Sequence, residues 1–146
     1  MTFSDAIQSA FAHYADFSGR ARRSEYWYFV LFTMIVNTAL NTGHNLFGGG
    51  FGETDIFTIT SSLFSLVTLV PGLSLIWRRL HDVGRSGGCY FLIFIPLVGI
   101  ILLLVWFCTD SQIGDNKYGP NPKGIRAVYT ETYTAEERDQ RPPWEY

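Results

Sequence analysis

Hydrophobic residues fill three long stretches of the chain that contain no charged side chain. Charge is absent between Glu25 and Glu53, between Asp55 and Arg78, and between Arg85 and Asp110. Each stretch exceeds about 20 residues, the length at which an α-helix crosses a hydrocarbon core about 30 Å thick. The pattern predicts an all-α integral membrane protein with three transmembrane helices, over residues 26–47, 56–77 and 89–109.

A short amphipathic helix is predicted before the first span. Phe3, Ile7, Phe11 and Tyr14 recur at helical spacing on one face. Thr2 and the residue three positions later form a candidate capping box at its start. An aromatic face of this kind suits a helix lying in the headgroup layer, and it equally suits a helix docked on the other helices.

Polar side chains form a stripe along each of the first two predicted spans. The stripes contain Asn37 and Asn41 in the first span, and Ser61 and Ser65 in the second. Because unpaired amides are costly in hydrocarbon, we expect hydrogen bonds between the helices rather than a path for a polar substrate. Proline predicts a kink at Pro71 and a bend in the third span.

The connections are rich in residues that end helices. An acidic, glycine-rich turn at 48–55 follows the first span, and turn formers crowd residues 114–122. Residues 125–146 are polar and are expected to form a disordered tail. The chain therefore divides into a membrane domain, residues 3–124, and a loop-rich polar C-terminal tail.

Nine of the 11 cations are arginine, and six of them lie in two short groups. The groups are Arg20, Arg22 and Arg23, and Arg78, Arg79 and Arg85. Basic loops stay in the cytoplasm, so the amino terminus is expected there. Three crossings then place the tail outside, and a re-entrant segment would reverse that. A net charge of −2 disfavours a nucleic-acid partner, and the scattered histidines predict no metal or cofactor.

The two arginine groups are expected to share one membrane surface with Glu25 and Asp82. Glu25 is expected to pair with an arginine of the second group, and Asp82 to lie between Arg78 and Arg85 on one helix face. The excess of cations predicts contact with anionic phospholipid, at about 1 kcal/mol per cation. A pocket for an anionic ligand or partner stays open, because guanidinium groups suit phosphate and carboxylate.

Four motifs together are more specific than any one of them. They are Phe17-x-Gly19-Arg20-x-Arg22-Arg23-x-Glu25-Tyr26-Trp27, Arg78-Arg79-Leu80-His81-Asp82-x-x-Arg85-Ser86, Ile95-Pro96-x-x-Gly99 and Asn116-x-Tyr118-Gly119-Pro120-Asn121-Pro122. In this order they resemble domain-of-unknown-function family 805, small bacterial inner-membrane proteins. The resemblance spans residues 3–123 and implies an inner-membrane location and this architecture. It implies no activity and no catalytic residue.

Three functions are compatible with these features. The preferred one is a non-catalytic membrane module that contacts anionic lipid and associates with itself, as a homo-oligomer, or with another membrane protein through the polar stripes. The second is a small transporter, channel subunit or lipid-handling protein that uses the arginine, aspartate and histidine side chains. The third is an enzyme acting on lipid with His81 as general base, although adjacent side chains on a helix diverge.

Overall fold

The computed structural model describes residues 1–47 and 55–124 of the chain. The helices are α1 (Phe3–Ala12), α2 (Arg23–Phe47), α3 (Ile56–Asp82), a 3₁₀-helix (Gly87–Phe94) and α4 (Val98–Cys108). Across these two ranges the secondary structure is helical, apart from an isolated bridge between Asn116 and Gly119. Most of the predicted glycine-rich turn and the whole predicted tail lie outside the described residues.

Helix α1 begins at a capping box and packs against α2. The Thr2 hydroxyl accepts a hydrogen bond from the Asp5 backbone amide, and the Asp5 carboxylate accepts one from the Thr2 amide. Such reciprocal bonds satisfy amides that have no partner within the helix. Ala6 and Ala10 are buried, and Phe11 packs edge-on against Phe29. Of the two arrangements expected for this helix, the structure has the docked one.

Helices α2 and α3 form an antiparallel pair. His44 contacts Asp55 at 2.9 Å at one end, and Glu25 contacts Arg78 at 3.3 Å at the other. The Asp55 carboxylate caps α3 by accepting a hydrogen bond from the Thr58 amide. Several interactions lower the pKa of the Asp55 carboxyl to about 2, and this hydrogen bond is the largest of them.

Among the described helices, α3 is the one that is both long enough and apolar enough to cross a membrane. Its 27 residues give a length of about 40 Å. Helix α2 is nearly as long, with 25 residues, but its asparagines and His44 make it more polar. The structure therefore supports the first two predicted spans as long helices and distinguishes them by polarity.

The third predicted span, residues 89–109, is not a continuous helix. The 3₁₀-helix ends at Phe94 and α4 begins at Val98, so the chain is interrupted where Pro96 lacks an amide donor. Leu97 adopts φ 65° and ψ −64°, and the Val98 amide donates to the Pro96 carbonyl at 2.8 Å, so Leu97 is the centre of a γ-turn that reverses the chain direction. With 11 residues, α4 is about 16 Å long, well short of a hydrocarbon core of about 30 Å.

Both ends of this interrupted segment lie at the carboxyl end of α3. Gly87, at its start, packs against the Trp77 indole, and the Arg85 guanidinium lies 5.1 Å from the Trp106 ring centre. Beyond its end, the Gln112 amide donates to the Asp82 carbonyl at 3.1 Å. Residues 87–108 therefore form a helical hairpin, called here the 87–108 hairpin, which returns to the end of α3 where it began.

The distribution of polarity is inverted relative to a water-soluble protein. Large apolar side chains are exposed along α2, α3 and the hairpin, as with Met34 at 65%, Leu63 at 62% and Phe94 at 79% exposure. Arg79 and Asp82, by contrast, are fully buried. Soluble monomers rarely expose continuous apolar patches of this kind. The described part of the chain is thus an all-helical membrane protein with a charged interior at one end.

The hairpin depends on a close approach at Gly99. A Cβ added there would lie 1.7 Å from the Leu92 carbonyl oxygen. We expect Gly99→Ala to lower the free energy of unfolding by about 1–3 kcal/mol, as overpacking does. Loss of helical circular dichroism on heating in detergent measures the effect.

Gly88→Ala is the matched control, because the nearest atom to its added Cβ is a side-chain oxygen at 3.7 Å. A Gly99→Ala protein as stable as the Gly88→Ala control would contradict the close packing of the hairpin.

Candidate functional site

The two arginine groups meet because α2 and α3 are antiparallel. The first group precedes or begins α2, and the second lies at the end of α3 and just beyond it. The arginine cluster comprises Arg20, Arg22, Arg23, Arg78, Arg79 and Arg85, together with Glu25 and Asp82. It forms the charged end of the structure and is the candidate functional site.

The Asp82 carboxylate lies at the centre of the arginine cluster. It accepts hydrogen bonds from Arg20 Nε at 2.9 Å, from Arg79 Nη1 at 2.6 Å and from the Ser111 hydroxyl at 2.6 Å. Both oxygens are used, and the two ion pairs are almost completely buried. Charge-assisted bonds of this kind are stronger than neutral ones, and a buried carboxylate requires them.

The second edge of Arg20 binds the chain that follows the hairpin. Its Nη atoms donate to the carbonyls of Gln112 at 2.7 Å and Gly114 at 2.8 Å. The Asn116 side chain donates to the His81 carbonyl at 2.9 Å. The turn-rich stretch expected at 114–122 is therefore a loop that packs on the cluster.

Two arginines cap the carboxyl end of α4. The last carbonyls of a helix have no amide partner within it, and cations there also oppose the helix dipole. Arg79 Nη2 donates to the carbonyls of Trp106 at 3.2 Å and Phe107 at 3.3 Å, and also to Thr109. Arg23 Nη1 donates to the Cys108 carbonyl at 3.2 Å. These bonds fix the returning arm of the hairpin to the start of α2 and the end of α3.

Glu25 joins the three amino-terminal helices. Its carboxylate accepts from Arg78 Nη1 at 3.3 Å and from the Ser9 hydroxyl of α1 at 2.9 Å. The Arg78 carbonyl in turn accepts from the Ala21 amide. The Nε and Nη2 atoms of Arg78 are buried, and within the described residues they have no hydrogen-bond partner.

His81 takes a structural position. Its ring stacks on Tyr118 with centroids 3.8 Å apart, and its Nδ1 lies 3.2 Å from the Gly19 carbonyl oxygen. The neighbouring Asp82 carboxylate instead faces guanidinium groups. Within residues 1–47 and 55–124, no three His, Cys, Asp or Glu side chains are grouped to hold a metal ion.

The structure pairs the charges differently from the helix-face expectation. Asp82 does not lie between Arg78 and Arg85, because α3 ends at Asp82 and Gly84 turns the chain with φ 74°. Arg78 faces Glu25, and Arg85 lies over Trp106.

Three of the six arginines that were expected to contact anionic lipid or a ligand are buried inside the protein. Arg20, Arg78 and Arg79 are inaccessible to lipid, and Arg22 donates to the Pro122 carbonyl at 2.7 Å. Backbone carbonyls thus accept hydrogen bonds from many of the guanidinium N–H groups that have no carboxylate partner. The exposed members of the cluster are Arg23 and Arg85.

The polar stripes do not bridge the helices as expected. Asn37 donates to the Thr33 carbonyl, Asn41 to the Asn37 carbonyl and Ser61 to the Thr58 carbonyl, each on its own helix. Short polar side chains reach the carbonyl one turn back and are satisfied there. Ser65 instead lines a groove between α2 and α3.

Sequence reasoning missed the loop residues that complete the cluster. Ser111 and Gln112 contact Asp82, and Asn121 donates to the Gln112 carbonyl at 3.0 Å. The sequence did contain one indication of these contacts: six arginines with only two carboxylates in the same groups need additional hydrogen-bond acceptors. Asparagine side chains in a turn-rich segment are common ways to order such a loop.

Because Asp82 is fully buried between two arginines, its charge should be important for stability. Asp82→Asn should lower the free energy of unfolding by about 3–5 kcal/mol, because it leaves Arg20 and Arg79 buried without a counter-charge. Thermal unfolding of the detergent-solubilised protein measures the loss.

Asp110→Asn is the control, since Asp110 pairs with Lys123 at an exposed position. Exposed pairs contribute about 0–1 kcal/mol. Equal stability of the Asp82→Asn and Asp110→Asn proteins would contradict a central role for Asp82.

Two relatives with similar sequences are named as inner membrane proteins. Inner membrane protein YhaI of Escherichia coli (strain K12) is 43% identical over 115 residues, covering 79% of this chain and 92% of the relative. Inner membrane protein YhaH of the same strain is 34% identical over 115 residues, covering 76% and 90%. No solved structure matches the chain. The family described as protein of unknown function (DUF805) matches residues 14–120, which include every member of the arginine cluster. The chain therefore belongs to the DUF805 family, whose relatives are named as inner membrane proteins.

Proposed function

We propose that the protein is a non-catalytic module of the inner membrane that associates, within the bilayer, with a second copy or with another membrane protein. The observation that carries this proposal is the internal use of the cluster's polar groups. Asp82 accepts three donors, while Arg20 and Arg79 bind carbonyls of the hairpin and the following loop. Groups bonded in this way hold helices together and are not free to bind a substrate.

A transporter, channel or lipid-handling function is less favoured. Its support is the pair of unpartnered Arg78 donors in the described part of the chain. Glu25 contacts the same guanidinium. Asp16 is also near: its pKa is lowered mainly by hydrogen bonds from Ser18 and, to a smaller extent, by the positive charge of Arg78. Two nearby carboxylates oppose an incoming anion. An enzyme with His81 as base is disfavoured by the contacts of that ring with Tyr118 and Gly19.

The proposed topology has two crossings, α2 and α3, with the hairpin returning to its own side. The contacts of Gly87 with Trp77 and of Gln112 with Asp82 support this arrangement. Residues 1–22 and 109–124 then share the cytoplasmic surface, because arginine-rich segments remain inside. This proposal replaces the three-span arrangement, with its external tail, that the hydrophobic windows predict. Exposed Arg23 and Arg85 would contact anionic phospholipid there.

Cysteine labelling distinguishes two crossings from three. In a Cys89→Ser/Cys108→Ser background, we expect Ser18→Cys and Lys117→Cys to react with a membrane-impermeant maleimide only in inverted vesicles. Asn45→Cys, at the other end of α2, should react in intact spheroplasts. Labelling of Ser18→Cys and Lys117→Cys from opposite sides would contradict the returning hairpin.

A groove between α2 and α3 is the proposed site of association. It encloses about 280 Å³ and includes Thr33, Ser65, Thr68 and Gly72 in its lining. Small residues let helices approach closely, which is how helices pack in a membrane without a hydrophobic driving force. The groove therefore suits a side chain from a neighbouring transmembrane helix.

Filling the groove should weaken self-association. We expect Thr33→Leu/Ser65→Leu to reduce association about five-fold, since interactions between membrane helices are worth about 1 kcal/mol. Energy transfer between donor- and acceptor-labelled copies in phosphatidylcholine vesicles measures this.

The matched control is Thr38→Leu/Thr60→Leu, which adds the same side chains at exposed positions outside the groove. Wild-type protein that stays monomeric, or equal association of the two double variants, would overturn self-association through this groove.

A further inference from the structure

A second, more apolar cleft lies between the 87–108 hairpin and the α2–α3 pair. It encloses about 250 Å³. Tyr26 and Ile76 form one wall, and Ile93, Ile100 and Leu104 of the hairpin line the other. The outer parts of these hairpin side chains are exposed, by 41%, 48% and 49% respectively. The cleft is therefore open on the surface that faces the bilayer.

The cleft is held in place by backbone contacts at the turn of the hairpin and at the end of α4. Gly99 packs on the Leu92 carbonyl where the hairpin turns, and Arg79 binds the carbonyls at the end of α4. The two arms and the α2–α3 pair are thereby fixed relative to one another. A ligand would enter a preformed space and would pay little to order it.

An exposed arginine lies at the charged end of the cleft. Arg23 begins α2 one turn before Tyr26, and Tyr26 packs on Phe107 with ring centroids 4.6 Å apart. Arg23 donates to the neutral Cys108 carbonyl, which leaves its charge uncompensated by that contact.

Asp110 is an acidic group close enough to Arg23 for their charges to interact. Its pKa is lowered, first by the hydrogen bond from Lys123, then by the Ser111 amide and, to a smaller extent, by the charge of Arg23. Asp110 pairs with Lys123. Arg23, Lys123 and Asp110 together therefore carry a net charge of +1, and the end of the cleft stays cationic.

The shape of the cleft selects among possible occupants. One turn of an α-helix, about 10 Å across and about 5.4 Å long, occupies more than the roughly 250 Å³ of this cleft, whereas a stretch of a single hydrocarbon chain fits within that volume. Tyr90 lines the cleft, and Trp106 lies near its charged end. Such aromatic residues lie at the headgroup level of a bilayer. An acyl chain in the cleft would thus bring its phosphate to the level of Arg23.

We infer that this cleft binds one acyl chain of an anionic phospholipid whose phosphate is held by Arg23. The inference rests on the lipid contact in the proposed function and assigns it to one site. Native mass spectrometry of the full chain in detergent tests it, with dioleoyl phosphatidylglycerol and dioleoyl phosphatidylcholine as competing probes. We expect wild-type protein to retain phosphatidylglycerol preferentially.

Two variants separate the headgroup contact from the chain contact. Arg23→Ala should reduce the preference for phosphatidylglycerol about five-fold, which corresponds to about 1 kcal/mol per cation. Arg23→Lys should keep most of that preference. Ile100→Trp should fill the cleft and reduce binding of both lipids, whereas Ile101→Trp, on the neighbouring exposed residue outside the lining, should not.

An unchanged lipid preference in Arg23→Ala, or equal lipid binding by Ile100→Trp and Ile101→Trp, would contradict the assignment of this cleft as a lipid-binding site. If Arg23→Ala does not fold, because Arg23 also caps α4, the comparison of the two tryptophan variants decides. Self-association in phosphatidylcholine alone is a separate measurement. If the protein self-associates normally but shows no preference for phosphatidylglycerol, this inference is contradicted and the proposed function is not.

Discussion

The structure depends on the burial of one carboxylate. Asp82 ends α3 and is bonded to Arg20, to Arg79 and to Ser111, which come from three separate parts of the chain. Removing charges from water is costly, so each buried charge must find its partners when the chain folds. The start of α2, the end of α3 and the loop after the hairpin therefore have one arrangement in which these charges are all paired.

Guanidinium chemistry explains how six arginines coexist with two carboxylates. Arginine presents five donors in a rigid fork, so one edge can pair with a carboxylate while another binds backbone carbonyls. Arg20 and Arg79 both do this, and Arg23 binds a further carbonyl at the end of α4. A lysine would offer a point charge without the second edge. The additional guanidinium groups thus anchor loops and helix ends, and their hydrogen bonds to carbonyls offset their mutual repulsion.

At its break, the hairpin pairs three backbone amides with nearby carbonyls, as hydrocarbon requires. Unpaired amides and carbonyls cost several kcal/mol in lipid, so irregular backbone must find partners nearby. At the break, the Ile95 amide donates to Leu92, Val98 to Pro96 and Gly99 to Ile95. The interruption therefore occurs without leaving these donors free. It also lets a very apolar segment return to the charged end of the protein and form the lipid-facing cleft.

The sequence by itself determined the membrane environment, the long helices α2 and α3, the cap of α1 and the neighbourhood of the two arginine groups. Charge-free length, local capping residues and antiparallel order are sufficient for these. Only the tertiary structure decided that Asp82 pairs with Arg20, 62 residues away, and that residues 89–109 fold back. Hydropathy reports that a segment is buried in lipid and does not report its path. Ion-pair partners depend on which side chains the packing brings within 3 Å or so of one another, and no local pattern encodes that.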